Sequence, residues 1–261
     1  MIGPDADDLI ARPWEYPGRA PTTSGLLLGG SFLPLAPPPD GDWGAAKVPG
    51  VGTLDQAFVL AGGPPIAQRT LVLAVGSNAS PAVMRRKFAV LGVDAVVPFV
   101  SARVEGLAVG HSAHVSRTGF VAATGFREPG AVTDTFASWL DAEQLACLDA
   151  TEPNYTPLDL PAAELPVHLH GGRVADEVRV YDSHWGALGQ PELGPRPLAD
   201  QETLYAWLAY ECEPWRSLVD PEPDDVRATM RRLAGDAAVL EAVRDAWAAQ
   251  GWAHPTGLAA R

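Results

Sequence analysis

Hydrophobic and polar positions change rhythm along the chain. Residues 1 to about 68 are broken by Pro and Gly, as in Ala36-Pro37-Pro38-Pro39-Asp40-Gly41, and hold no sustained helical period. This predicts an extended arm. Trp14, Tyr16, Phe32, Leu33, Trp43 and Phe58 make it too apolar for a free linker, so it is expected to lie against the body. From Leu71 the run Leu71-Val72-Leu73-Ala74-Val75 is short, apolar and partly β-branched, the pattern of a buried strand that stops at Gly76. Ser80 then offers an N-cap and Pro81 the favoured first helical position. Val83, Met84, Phe88 and Leu91 follow at roughly helical spacing until Gly92. The order is strand, polar loop, helix. Between Val93 and Trp139, apolar runs such as Val96-Val97 and Val104 to Val109 are separated by Gly, Pro and Ser. Several short strands curling into a barrel or sandwich would produce that spacing.

A short helix is predicted next, with Asp141 as N-cap, Gln144 as its capping-box partner, and Leu145 and Leu148 facing inward. It runs out over Asp149 to Glu152, because Pro153 disfavours helical geometry in the residue before it. Strand-like pieces follow at Val167 to His170 and Val178 to Tyr181. Gln201 to Cys212 and Asp225 to Trp252 read as amphipathic helices, the second interrupted at Gly235. The expected class is α+β, with an arm over residues 1–68, a core over 69–195 and a helical C-terminal extension of the same domain over 196–261.

Composition narrows the function. With 261 residues, 47% of them hydrophobic, the chain can bury a full core, while 26 Gly and 25 Pro imply many turns. Two cysteines, Cys147 and Cys212, make no disulfide framework and no CxxC pair, which fits a reducing, cytoplasmic setting. The net charge of −13 argues against a nucleic-acid partner. The basic run Arg85-Arg86-Lys87 reads as a solvated helix face or as a guide for an anionic substrate toward the adjacent loop. The acidic start (Asp5, Asp7, Asp8) does not resemble a secretory signal, and no apolar stretch is long enough to predict a membrane span.

The chemistry is expected in the loop Gly76-Ser77-Asn78. Between a strand and a helix such a loop exposes consecutive backbone N–H groups at the positive end of the helix, suited to a carboxylate or a developing oxyanion. Gly, Ser and Asn are also ordinary turn formers. Glu152 adds a carboxylate at the C-terminal end of a short helix, where negative charge is disfavoured and general-base behaviour is encouraged. A surface acid there is the plain alternative.

Together the two segments resemble a known family. Leu73-Ala74-Val75-Gly76-Ser77-Asn78 is similar to the Tyr-Gly-Ser-Asn signature of the gamma-glutamylcyclotransferase-like superfamily. Trp139 to Tyr155, with its Leu148-Asp149-x-x-Glu152 core, is similar to that family's second signature. The likeness covers about Leu71 to Asp159. It implies a small mixed β-barrel in which the loop backbone binds a gamma-glutamyl group and Glu152 is the catalytic acid/base, with no metal or cofactor. The substrate's own amine would attack its side-chain amide, closing 5-oxoproline and expelling an amine or amino acid. Two departures stand out: Val75 replaces the usual aromatic, and Pro153 follows Glu152 where glycine is common. Tyr155 is available to wall the pocket, to bond substrate, or simply to fill the core. The arm and C-terminal helices are available to shape the pocket or to form a homodimer interface.

Other readings compete. Gly110-His111-Ser112-Ala113-His114 is superficially like the Gly-x-Ser-x-Gly elbow of α/β hydrolases, but its fifth position is not small. His168 and His170 share one face of a strand and, with His111, His114 or Asp176, would make a metal site; histidines spaced by two also occur without metal. His184-Trp185-Gly186 reads as a turn, and no P-loop or GxGxxG fingerprint is present. The main rival is a member of the same fold that binds a small ligand or a protein and has lost turnover.

Overall fold

The structure, a computed structural model, describes residues 7–222 and 225–259; Asp5 lies outside them. The arm holds β1 (Gly25–Leu28), β2 (Ser31–Pro34), the short pair β3 (Lys47–Val48) and β4 (Gly52–Thr53), and helix α1 (Leu54–Leu60). The body continues with β5 (Thr70–Ala74), α2 (Pro81–Val90), β6 (Val96–Val115), β7 (Val121–Leu140) and α3 (Ala142–Thr151). Then come β8 (Tyr155–Pro161), β9 (Val167–Leu169), β10 (Glu177–Ser183), β11 (Ala187–Gln190) and β12 (Gly194–Pro195). The chain finishes with α4 (Gln201–Glu211), α5 (Glu213–Val219), α6 (Val226–Leu233), α7 (Ala237–Ala249) and β13 (Ala253–His254).

The protein is mixed α and β: among the described residues, seven α-helices surround a large, mostly antiparallel sheet of 11 strands. Its main path runs β12-β11-β6-β7-β5-β10-β8, with β1 and β9 also on β6, β2 on β1 and β13 on β11. The β5–β10 pair is parallel. No closed barrel forms among the described residues. The several short strands expected between Val93 and Trp139 are instead two 20-residue strands, β6 and β7, paired as one long hairpin. The breaks in the hydrophobic pattern fall on irregularities within that hairpin. One register shift lies between Glu105 and Leu107, where Gly106 takes φ +72°, and another between His111 and Val115. A bulge lets residues leave the ladder without ending the strand, so glycine here bends the pairing and does not terminate it.

The arm is less separate than its composition suggests. β1 pairs with β6 (Leu27 opposite Val97), and Leu26, Leu27, Trp43 and Phe58 are buried. The arm also contains a helix: Thr53 and Gln56 close a capping box at the start of α1, a seven-residue element too short for its period to register. At the other end of the chain, the helices pack Trp215 and Trp247 in a stack 5.9 Å apart, over Val115, Val121 and Leu188. On the remaining flank, Met84 and Phe88 of α2 and Leu148 of α3 share a core with Val72, Phe99 and Phe136. Among the described residues, no helix is long and apolar enough to cross a membrane.

Candidate active site

β5 ends at Ala74, and Gly76–Ala79 makes a single 3-10 turn before Ser80 caps α2 by accepting the Val83 N–H at 3.2 Å. Gly76 adopts φ +68°, and a Cβ there would stand 2.5 Å from Tyr16 Oη and 2.7 Å from Ala123 Cβ. Only glycine meets both constraints. α3 begins with the expected capping box: Asp141 Oδ1 accepts the Gln144 N–H at 3.0 Å and Gln144 Oε1 accepts the Asp141 N–H at 3.3 Å. Glu152 is its C-cap.

Because α2 and α3 pack through Met84, Phe88 and Leu148, the turn before one helix meets the end of the other. Asn78 Nδ2 donates to Glu152 Oε1 at 3.1 Å, across 74 positions of chain. Lys87 completes the cluster, its Nζ lying 2.5 Å from Glu152 Oε1 and 2.8 Å from Asn78 Oδ1. The Lys87 and Glu152 side chains are only 16% and 13% exposed. Negative charge at a helix C-terminus is disfavoured, and the ammonium offsets it directly. Both bonds use Oε1; among the described residues no group bonds Oε2.

These groups open onto a cavity of about 360 Å³ lined by Val75, Ser77, Asn78, Glu152 and Tyr155. Gly76 is packed behind the lining, against Tyr16 and Ala123. Tyr16, from the arm, also lines it, stacked on Phe120 with ring centroids 4.3 Å apart. The Ala123 peptide is held between two phenols: Tyr16 Oη accepts its N–H at 2.7 Å, and Tyr155 Oη donates to its carbonyl at 2.8 Å. Burial pushes the Tyr16 phenol far above its ordinary range; the Ala123 N–H and the Ser77 N–H and hydroxyl oppose the shift, while the Glu152 charge adds to it. Burial, then Tyr16 and Glu152, raise Tyr155. Burial also raises Tyr181, whose hydroxyl donates to Asp149 Oδ1 at 2.6 Å. The three phenols therefore stay protonated at neutral pH and wall the cavity, whose lining holds two carboxylates, Asp7 and Glu152.

The basic run on α2 is not a solvated face. Besides the pairing of Lys87 with Glu152, Arg86 Nη1 lies 3.0 Å from Asp8 Oδ1 and donates to the Asp7 carbonyl at 3.0 Å. Asp7 Oδ2 in turn accepts the Ser80 hydroxyl at 2.6 Å and the Arg19 N–H at 2.8 Å. Nothing local in Arg85-Arg86-Lys87 announces these partners, since they lie on the arm and at the end of α3. Tyr16 and Lys87 are the site residues that sequence reasoning missed. The only signals were an apolar arm and a cation nine residues after Asn78.

The competing motifs fall elsewhere. Ser112 and His114 lie in β6, inside the ladder, with Ser112 Oγ 2.6 Å from both His114 Nδ1 and Ser183 Oγ. All three are buried, with no elbow that would present Ser112 to a substrate. Burial pushes His114 down to about 4, helped by Arg244 and His184, and burial likewise takes His111 to about 4. His168 Nε2 lies 3.0 Å from Glu105, and the described residues contain no group of three or more side chains that could hold a metal ion. Trp185 of the His184-Trp185-Gly186 turn donates to Asn154 Oδ1 at 3.1 Å.

No protein-family profile matches the chain, and no curated protein matches it. Among solved structures, an uncharacterized protein from Homo sapiens is similar to it at 18% identity and a TM-score of 0.38, over 60% of this chain and 90% of the human one. A protein from Arabidopsis thaliana, solved in solution, is similar at 15% identity and a TM-score of 0.36, over 59% of this chain and 83% of its own.

Proposed function

We propose that the cavity is the active site of a gamma-glutamylcyclotransferase-like enzyme that converts a gamma-glutamyl amide or peptide to 5-oxoproline and a free amine or amino acid. The observation that carries this reading is the 3.1 Å contact of Asn78 with Glu152 at the wall of one cavity. The substrate's α-nitrogen attacks its own γ-carbonyl carbon, a tetrahedral intermediate forms, and the bond to the leaving nitrogen breaks. Of the three protons on the substrate ammonium, one remains on the ring nitrogen. The two others end on the leaving amine, one passed through Glu152 and one through solvent. Oε2, which no described group bonds, is the oxygen open to the incoming ammonium, while Lys87 and Asn78 steady Oε1. Folding the substrate into its cyclising geometry supplies most of the acceleration, an effect that reaches about 7–11 kcal/mol in favourable cases.

The Lys87 contact also favours a second reading, a binding protein without turnover, because the ammonium already neutralises the proposed base. Glu152→Gln separates the two. The variant keeps an acceptor at the Lys87 position and nearly the same volume. Release of 5-oxoproline from gamma-glutamyl amides is expected to fall ~10²–10⁴-fold, with binding retained. Removing one partner of this largely buried pair is expected to cost at most ~2 kcal/mol of stability, since the amide oxygen still accepts from Lys87. Unchanged turnover in a folded variant would end the mechanism, and no release by the wild type from any gamma-glutamyl amide would leave the binding reading.

A further inference from the structure

Beyond the reacting end, the cavity follows one face of α2. Val83, Arg86, Lys87 and Val90 all line it, at the i, i+3, i+4 and i+7 spacing of a single helix face. Seven residues of helix span about 10 Å. The long side chain of Lys87 reaches back to Asn78 and Glu152, as helical side chains lean toward the N-terminus, so the polar chemistry gathers at the loop end. The same wall also carries apolar side chains. Val90 is 76% exposed and Ile10, from the arm, 74% exposed, yet both line the cavity, with Leu9 and Phe120 also in its wall. Exposed aliphatic side chains in a cavity wall leave apolar surface in contact with water.

The charges along the cavity are already engaged. Arg86 is paired with Asp8, Lys87 with Glu152, and Asp7 takes the Ser80 hydroxyl and the Arg19 N–H. Among the described residues of this wall no cation stands without a partner, so a leaving group bearing a carboxylate, as in a gamma-glutamyl amino acid or peptide, would pay for desolvation. From this we infer that the leaving half of the substrate is an uncharged, aliphatic or aromatic amine, seated against the apolar side chains of this cavity. The inference rests on the proposed cyclisation for the identity of the other half of the ligand.

The test compares gamma-glutamyl-n-butylamide, gamma-glutamylbenzylamide, gamma-glutamylglycine and glutathione on the full wild-type chain. It reads kcat/KM from 5-oxoproline release and, independently of turnover, Kd by calorimetric titration. The butyl- and benzylamides are expected to exceed the two carboxylate-bearing compounds at least ten-fold in kcat/KM, or in affinity if nothing is turned over. Val90→Asp, at an exposed position, is expected to shrink that preference at least three-fold. Preferential binding without 5-oxoproline would sink the enzyme reading and leave this inference standing. Turnover with gamma-glutamylglycine or glutathione equal or better would do the reverse. Binding of none of the four would overturn both.

Discussion

Tyr16 shows how a single side chain can tie the arm to the site. Its ring stacks on Phe120, its oxygen accepts the Ala123 N–H at 2.7 Å, and that oxygen occupies the space a Cβ on Gly76 would need. Tyr16→Phe retains the stack and deletes the acceptor, leaving a buried N–H unpaired. The expected loss is ~1–3 kcal/mol, read from the denaturant midpoint. A change below ~0.5 kcal/mol would show that the phenol oxygen does not satisfy that N–H. Gly76→Ala should be harsher, since it imposes φ +68° on a residue with a Cβ and drives that Cβ into Tyr16 and Ala123. About 2–4 kcal/mol is expected, together with loss of the proposed 5-oxoproline release as the Ser77 and Asn78 turn is displaced. An alanine variant as stable and active as the wild type would mean that the turn relaxes freely.

Helices and strands differ in how local their determinants are. α3 was readable from its capping box and from Pro153, because every bond that starts or stops it closes within a few residues. β6 was not, because its length depends on β7, β1, β9 and β11 lying alongside it, and hydrogen bonds to distant strands outweigh the local turn preference of Gly106 and Gly110. The same burial explains a pH dependence. His111 and His114 in β6 are held to about 4 in the folded chain, against 6.5 when exposed. Between those values the unfolded chain binds more protons than the folded one, so stability falls as pH falls from about 6.5 toward 4. For two such groups the expected loss is about 2–4 kcal/mol between pH 7 and pH 5. Denaturation midpoints that stay flat over that interval would show that the two imidazoles are not buried in neutral form.

For the molecule as a whole, the consequence is that the arm is part of the fold and of the site. β1 extends the main sheet, Trp43 and Phe58 belong to the largest core cluster, and Asp7, Ile10 and Tyr16 wall the cavity. A chain starting at Arg69 would expose that apolar surface and leave one edge of β6 unpaired. It is expected to lack cooperative unfolding and to bind no gamma-glutamyl amide. A fragment that melts cooperatively near the full-length temperature would refute this. What the sequence determined alone was local: the strand stopping at Gly76, Ser80 and Pro81 opening α2, Asp141 and Gln144 opening α3, and Glu152 at its end. Each depends on backbone geometry or on a hydrogen bond spanning a few residues. Only the tertiary structure decided the rest: Asn78 against Glu152 across 74 positions, Lys87 against Glu152 across 65, and Tyr16 reaching Ala123 across 107. The interacting groups in those contacts are brought together by cores packed at distant points of the chain, and no local spacing encodes such a meeting.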